Sequence, residues 1–194
     1  MKIVVLTNRT SSYNKYGFPS FYTKSDSTLL KGGKPFFVPD FAEECVLTLH
    51  VVARIGRLGK SIPVRFTDRY IDGWTLGALF TAQNMVKEDE AIPAVAVDFD
   101  GSTMIGEFVG KEMMNEDASV INFELNGRKL AVPISPAQIQ KGICSKFAEL
   151  SSFFTWRQGD LLISAPLNEP IAVSEGDHLE GDFLGKNLIE FNIK

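Results

Sequence analysis

Thr48 and His50 sit two apart in the run "CVLTLHVVARI" (45–55), the spacing that puts two side chains on one face of a strand. A hydroxyl and an imidazole on one face can hold a small ligand by hydrogen bonds. They could also begin a metal site, but two such groups fall short of the three or more protein ligands that a catalytic ion takes. The third reading is an interior histidine satisfied by hydrogen bonds, the default for a polar ring in an apolar run. Glu43 and Glu44 precede the run and would approach this face only through a bulge. Cys45 as a nucleophile needs an activating base. His50 lies five residues on, about 16 Å away at ordinary strand rise and on the opposite face, so that pairing is not expected. Cys144 falls in a predicted helix and reads as packing. His178, in "EGDHLEGD", reads as a solvated residue of a surface turn.

The elements that must position these residues are mostly strands. In 45–55 the side chains of Leu47, Leu49, Val51 and Ala53 share one wholly apolar face. Val46, Thr48, His50 and Val52 share the other. That pattern predicts a strand with one face in the core and one toward a pocket or interface. Short strands are also expected at Val4–Leu6, at the start of 21–30, at Trp74–Phe80, within 159–167, and two or three times within 172–194. "NRTSSYNKYGFPS" (8–20) is a loop. Asn126-Gly127 between alternating segments predicts a hairpin over 119–134. The clearest helix follows Ser135 at about 136–150: Pro136 suits its first position, and Ile139, Ile143, Phe147 and Leu150 follow helical spacing. Short 3-10 or α turns complete a mostly β, α+β chain.

The bulk numbers set limits. A chain of 194 residues with 44% hydrophobic and 23% charged residues suits one globular domain over 1–194 with a substantial core. Net charge is −4, so no basic excess advertises nucleic acid. Arg54, Arg57, Lys60, Arg65 and Arg69 are diluted by apolar residues and read as a solvated rim. Two distant cysteines match no metal spacing and suit a reduced, cytoplasmic setting. The apolar run in "MKIVVLTNRT" is too short for an export signal or a membrane span. Trp74, Trp156 and the phenylalanines read as core or dimer interface.

"RIGRLGKSIPVRFTDRYIDGWTLG" and "FFTWRQGDLLISAP…EGDHLEGDFLGKNLIEFNIK" resemble the fumarylacetoacetate hydrolase family, in its short bacterial acylpyruvate-hydrolase-like branch. "FYTKSDSTLL" and "KPFFVPDF" look like its Lys-Pro-Asp-Thr segment and the following loop. "FTAQN" looks like Thr-Ala-Arg-Asp, and "FDGSTMIGEFV" like Phe-Asp-Gly-Ser-x-x-x-Gly-Glu-Phe. The similarity covers nearly the whole chain. It implies a mixed β-roll, usually a homodimer, and Mg²⁺- or Mn²⁺-assisted hydrolysis, decarboxylation or isomerisation of 2-oxo or 1,3-dicarbonyl acids. In such chemistry a hard ion takes oxygen ligands and steadies an enolate.

Carried over residue by residue, the resemblance finds that chemistry missing. The family's Glu-x-Glu pair falls on Thr48 and His50. Its third metal acid falls on Leu79, which offers no lone pair and makes the site drier. Its lysine falls on Val97, and its N-terminal histidine near Tyr13. Its Thr-Gly-Thr-Pro turn reads Ser164-Ala165-Pro166-Leu167, and the lid segment before "VDFDG" is shortened. Lys24 and Thr81 remain as candidate pocket residues. The expectation is a protein without the metal or the family chemistry, either a structural partner of an active paralogue or a binder of a small organic acid in the old pocket. The alternatives are a metal-independent enzyme using Tyr13, Lys24, Thr48 or His50, and a hydrolase in a shifted register with Glu44 on the metal.

Overall fold

The computed structural model describes residues 1–8, 20–87, 92–115, 121–130, 132, 135–183 and 185–194. Its first half holds β1 (Ile3–Leu6), β2 (Phe21–Lys24), β3 (Leu29–Lys31), β4 (Cys45–Ile55), β5 (Ile71–Ala82), α1 (Ala94–Val97) and β6 (Thr103–Ile105). The second half holds β7 (Ile121–Leu125), β8 (Arg128–Leu130), α2 (Pro136–Leu150), β9 (Leu161–Ile163), β10 (Ile171–Val173), β11 (His178–Phe183) and β12 (Lys186–Asn192).

β4 is the hub of the larger sheet, whose order is β2-β1-β9-β4-β5-β6-β3, with β10 also pairing β4. Pairing is mixed: β1 with β9 and β3 with β6 are parallel, and the others are antiparallel. A second, four-stranded sheet runs β12-β11-β7-β8. The expectation of a mostly β chain with one long helix is borne out.

Both faces of β4 are covered, and they do different things. Leu47, Leu49, Val51, Ala53 and Ile55 enter the main core with Trp74, Leu76 and Phe80 of β5 and with Phe123, Leu179, Phe183 and Phe191 of the smaller sheet. On the other face Val52 joins a separate apolar cluster with Ile3, Val5, Leu79, Ile105, Leu161 and Ile163. Thr48 and His50 continue that inner face toward a pocket, as the alternation predicts. Gly106 lets the two sheets meet: a Cβ there would run into the Leu188 carbonyl of β12, which accepts from the Glu107 amide at 2.8 Å.

The helix starts where its sequence says. The Ser135 hydroxyl accepts from the Gln138 amide at 3.3 Å, and the Gln138 side chain accepts from the Ser135 amide at 3.2 Å, a reciprocal cap. Ile139, Ile143, Phe147 and Leu150 are buried, and Phe147 stacks on Trp156 with centroids 5.2 Å apart. Asn126 and Gly127 both take positive φ, 54° and 75°, the geometry a two-residue hairpin turn demands.

Two local expectations need correction. β5 runs from Ile71 to Ala82 rather than from Trp74 to Phe80: its ladder with β4 continues through Ala53–Trp74 and Arg54–Gly73, so long-range pairing overrides the turn-like Asp72 and Gly73. His178 is not in a surface turn. It opens β11 opposite Asn192, half-buried, with hydrogen bonds to Asn192 at 2.9 Å and Glu180 at 3.1 Å. Among the described residues, no helix is long and apolar enough to cross a membrane.

Candidate functional site

The pocket is built by extending one strand with an irregular turn. Beyond β9, the chain follows β4. The Ser164 amide donates to the Val51 carbonyl at 2.9 Å and the Leu167 amide to the Leu49 carbonyl at 2.9 Å. The Ser164 hydroxyl accepts from the Val51 amide at 3.0 Å, and the Asn168 side-chain Oδ1 accepts from the Leu49 amide at 2.7 Å. This stitching sets Pro166 over the inner face of β4. Between that turn, β1, β2, the end of β5 and α1 lies a cavity of about 390 Å³.

Thr48, His50, Thr81, Val97 and Pro166 all line it. Sequence positions from four separate segments, β4, β5, α1 and the turn after β9, therefore converge on one pocket. Leu79 does not line it: Leu79 is 2% exposed and packs in the inner cluster with Val5, Val52 and Ile105. Tyr13 lies outside the described residues. Lys24 is not on the lining either. It is 4% exposed, and its Nζ donates to the Ser102 carbonyl at 3.1 Å, because β2 pairs with β1 so that Lys24 stands opposite Ile3 on the covered side. Tyr22, Gln83 and Asn168 also line the pocket and were not foreseen. Tyr22 had a signal, since it lies two residues before Lys24 on a strand; Asn168 had none.

A larger, more open groove of about 790 Å³ runs past Arg54, Gly106, Phe108 and Glu190. None of the positions aligned with the family chemistry lines it, so size does not mark the site here.

His50 is wholly buried, and both its ring nitrogens are engaged. Nδ1 is 2.8 Å from the Ser164 carbonyl and Nε2 is 2.9 Å from the Thr48 hydroxyl. A carbonyl only accepts, so Nδ1 carries the proton and Nε2 accepts from Thr48. The Thr48 hydroxyl has one proton, and the nearby Leu79 carbonyl at 3.4 Å is the poorer acceptor. The tautomer therefore follows from the contacts, and the ring keeps no free lone pair.

Burial sets the charge states. Desolvation pulls His50 from its ordinary 6.5 to about 4, against the help of the Ser164 hydrogen bond and with further depression from the charge of Lys24. Lys24 is lowered from 10.5 to about 7 by desolvation, with Asp98 pulling the other way. Asp98 is itself held by the Ser25 amide at 2.6 Å and hydroxyl at 2.8 Å. Desolvation raises the Tyr22 hydroxyl far above its usual range. Cys45, buried on the other face, is pushed up to about 11 by desolvation, which keeps its thiol protonated at neutral pH.

The His50 depression has a measurable consequence. Its folded pKa lies below its unfolded one, so the unfolded chain takes up the proton first as pH falls. The contribution is intact above about pH 6.5 and is lost between 6.5 and 4, by up to roughly 3 kcal/mol. His50→Gln should flatten the stability profile across that window in pH-dependent urea unfolding. A variant whose acid limb parallels the parent's would show that the ring is not desolvated.

The groups at the three aligned positions are a shared hydroxyl, an engaged imidazole and an isobutyl group that offers no lone pair. Glu43 and Glu44 are exposed, and the β4–β5 ladder runs without a register shift from Cys45–Ala82 to Arg54–Gly73. No bulge turns Glu44 inward. Among the described residues, no group of three His, Cys, Asp or Glu could hold a metal ion.

A family model described as fumarylacetoacetate (FAA) hydrolase, C-terminal, matches residues 4–189. The mitochondrial oxaloacetate tautomerase of Rattus norvegicus is 22% identical over 180 residues, spanning 91% of this chain and 81% of the relative. A fumarylpyruvate hydrolase from Pseudomonas aeruginosa, solved with Mn²⁺ and pyruvate, superposes with a TM-score of 0.79 at 17% identity, covering 100% of this chain and 89% of that one. A 5-carboxymethyl-2-hydroxymuconate delta-isomerase from Mycobacterium smegmatis gives 0.78 at 16%, covering 99% and 78%.

Proposed function

Because the chain belongs to the fumarylacetoacetate hydrolase family, we propose that it keeps the family's β-roll and pocket but not its divalent-metal site, and hence not its metal-assisted hydrolysis, decarboxylation or isomerisation. The pocket then serves as a binding site for a small organic molecule. The observation that carries this is the donor set. A hard divalent ion needs several oxygen ligands, usually with negative charge. At the aligned positions Thr48 already donates to His50, His50 has both nitrogens bonded, and Leu79 is enclosed by aliphatic side chains. The Mg²⁺ or Mn²⁺ that the family uses does not fit these residues. A homodimer is part of the same proposal; exposed Phe37 and Leu58 offer apolar surface for it, and light scattering would reveal it.

One observation favours a second reading, a metal-independent enzyme with a rebuilt pocket: Lys24 is a buried amine with a pKa of about 7. Its Nζ is turned to the Ser102 carbonyl and the residue is absent from the pocket wall, so binding without chemistry is the stronger reading. With Mg²⁺ or Mn²⁺ present, the purified protein should tautomerise oxaloacetate and cleave acylpyruvates no faster than buffer containing the same ions. Turnover clearly above that rate would reject the proposal. Turnover that is independent of metal and lost in Lys24→Met would establish the second reading instead.

A further inference from the structure

The pocket offers no positive charge on its described lining. The ionisable side chains there are His50, Tyr22 and Glu169. The buried imidazole is neutral at pH 7, and the phenol stays protonated. Glu169 is exposed and is the single formal charge, a negative one at the rim. The nearby cation, Lys24, is absent from the lining and gives its Nζ to Ser102.

Much of the wall is apolar, from Val5, Leu6, Val46, Val86, Ile92 and Val97. Its polar groups fall into two kinds. Thr7, Thr48, His50 and Asn168 are spent on the fold: the Thr7 hydroxyl pairs with that of Ser20, and the Asn168 side chain accepts from the Leu49 amide and donates to the Glu169 carbonyl. The Tyr22 hydroxyl, the Thr81 hydroxyl and the Gln83 side-chain amide line the same space, with the exposed Asn8 at its edge, and no hydrogen bond joins the side chains of Tyr22, Thr81 and Gln83 to another described residue. They are neutral donors and acceptors facing a cavity of ordinary ligand size.

From this lining we infer that the pocket takes an uncharged organic molecule, mostly apolar with one hydrogen-bonding head, and not a carboxylate. This rests on the reading of the pocket as a retained binding site. A carboxylate entering here sheds its hydration shell without meeting a cation among the described lining residues, which is costly, and approaches Glu169. A carboxamide, alcohol or ketone of the same shape loses far less and can pair with Tyr22, Thr81 and Gln83. The likeness in fold to a protein solved with pyruvate therefore does not extend to ligand charge.

The test is a set of matched neutral and anionic pairs, from acetamide and acetate to hexanamide and hexanoate and benzamide and benzoate. Binding is read at pH 7.5 by ligand-observed NMR and calorimetry on the full chain. The neutral member should bind at least about tenfold tighter, and Thr81→Trp, which fills the cavity, should abolish its signal. Gln83→Lys places a cation on a half-exposed rim position and should narrow or reverse the preference by about tenfold. Tighter binding of the acids by the parent protein overturns the uncharged class while leaving a binding pocket. Neutral-ligand binding that survives Thr81→Trp lies elsewhere and also overturns the inference. Failure of every pair, neutral and anionic, overturns the binding-site reading itself.

Discussion

Lys24→Met is expected to raise the melting temperature at pH 7, by roughly 8 °C or more. Lys24 is 4% exposed, and desolvation lowers it from 10.5 to about 7. Between those values the unfolded chain holds a proton that the folded chain has released, so stability climbs as pH rises from 7 to 10.5. The cost is fully in place below about pH 7 and is gone above 10.5. At roughly 1.4 kcal/mol per pH unit it reaches about 4 kcal/mol at pH 7, and each kcal/mol moves the midpoint of a chain this size by about 2–4 °C. Methionine fills a similar volume without the charge. The Ser102 carbonyl is not orphaned by the change, because it also accepts from the Phe80 amide at 3.0 Å. The gain should shrink steadily as pH approaches 10. A variant less stable than the parent at pH 7 would mean that Asp98 compensates the ammonium more than its burial costs.

Leu79→Asp is expected to destabilise by about 4 kcal/mol at pH 7. The side chain is enclosed by Val5, Val52, Ile105 and neighbouring aliphatic groups, so the substitution removes apolar packing and inserts an ionisable group without a partner. Denaturant unfolding reads the loss, and an unchanged midpoint would show that water reaches this cluster. The same substitution combined with Thr48→Glu and His50→Glu restores an acid at each position where the family resemblance implies one. That triple variant should gain thermal stability with millimolar Mn²⁺, whereas the parent should not, since a ligand raises stability only by binding the folded state.

Much of the frame was legible because local and global signals agreed. β4 has the predicted limits, Cys45–Ile55, because its apolar alternation is uninterrupted. Ser135, Pro136 and the Asn126-Gly127 pair each carry a backbone requirement in one or two residues. What stayed hidden depends on partners distant in sequence. Short strands were expected within 172–194, but that one of them opens at His178 depends on pairing with β7 across some fifty residues, which nothing within "EGDHLEGD" announces. Lys24 sits in a polar stretch and is buried only because Ile3 lies beside it and Ser102 closes over it. The convergence of Thr48, His50, Thr81, Val97 and Pro166 on one cavity followed from the family resemblance. The lack of a cation on its described lining did not, because it depends on where the Lys24 side chain ends up.

The most direct test of the central claim is a Mn²⁺ titration of the parent protein followed by electron paramagnetic resonance, which counts the free ion. The free-ion signal in protein should match that in buffer up to about 1 mM. About one ion bound per chain at submillimolar concentration, and released by substitution of Thr48 or His50, would contradict it.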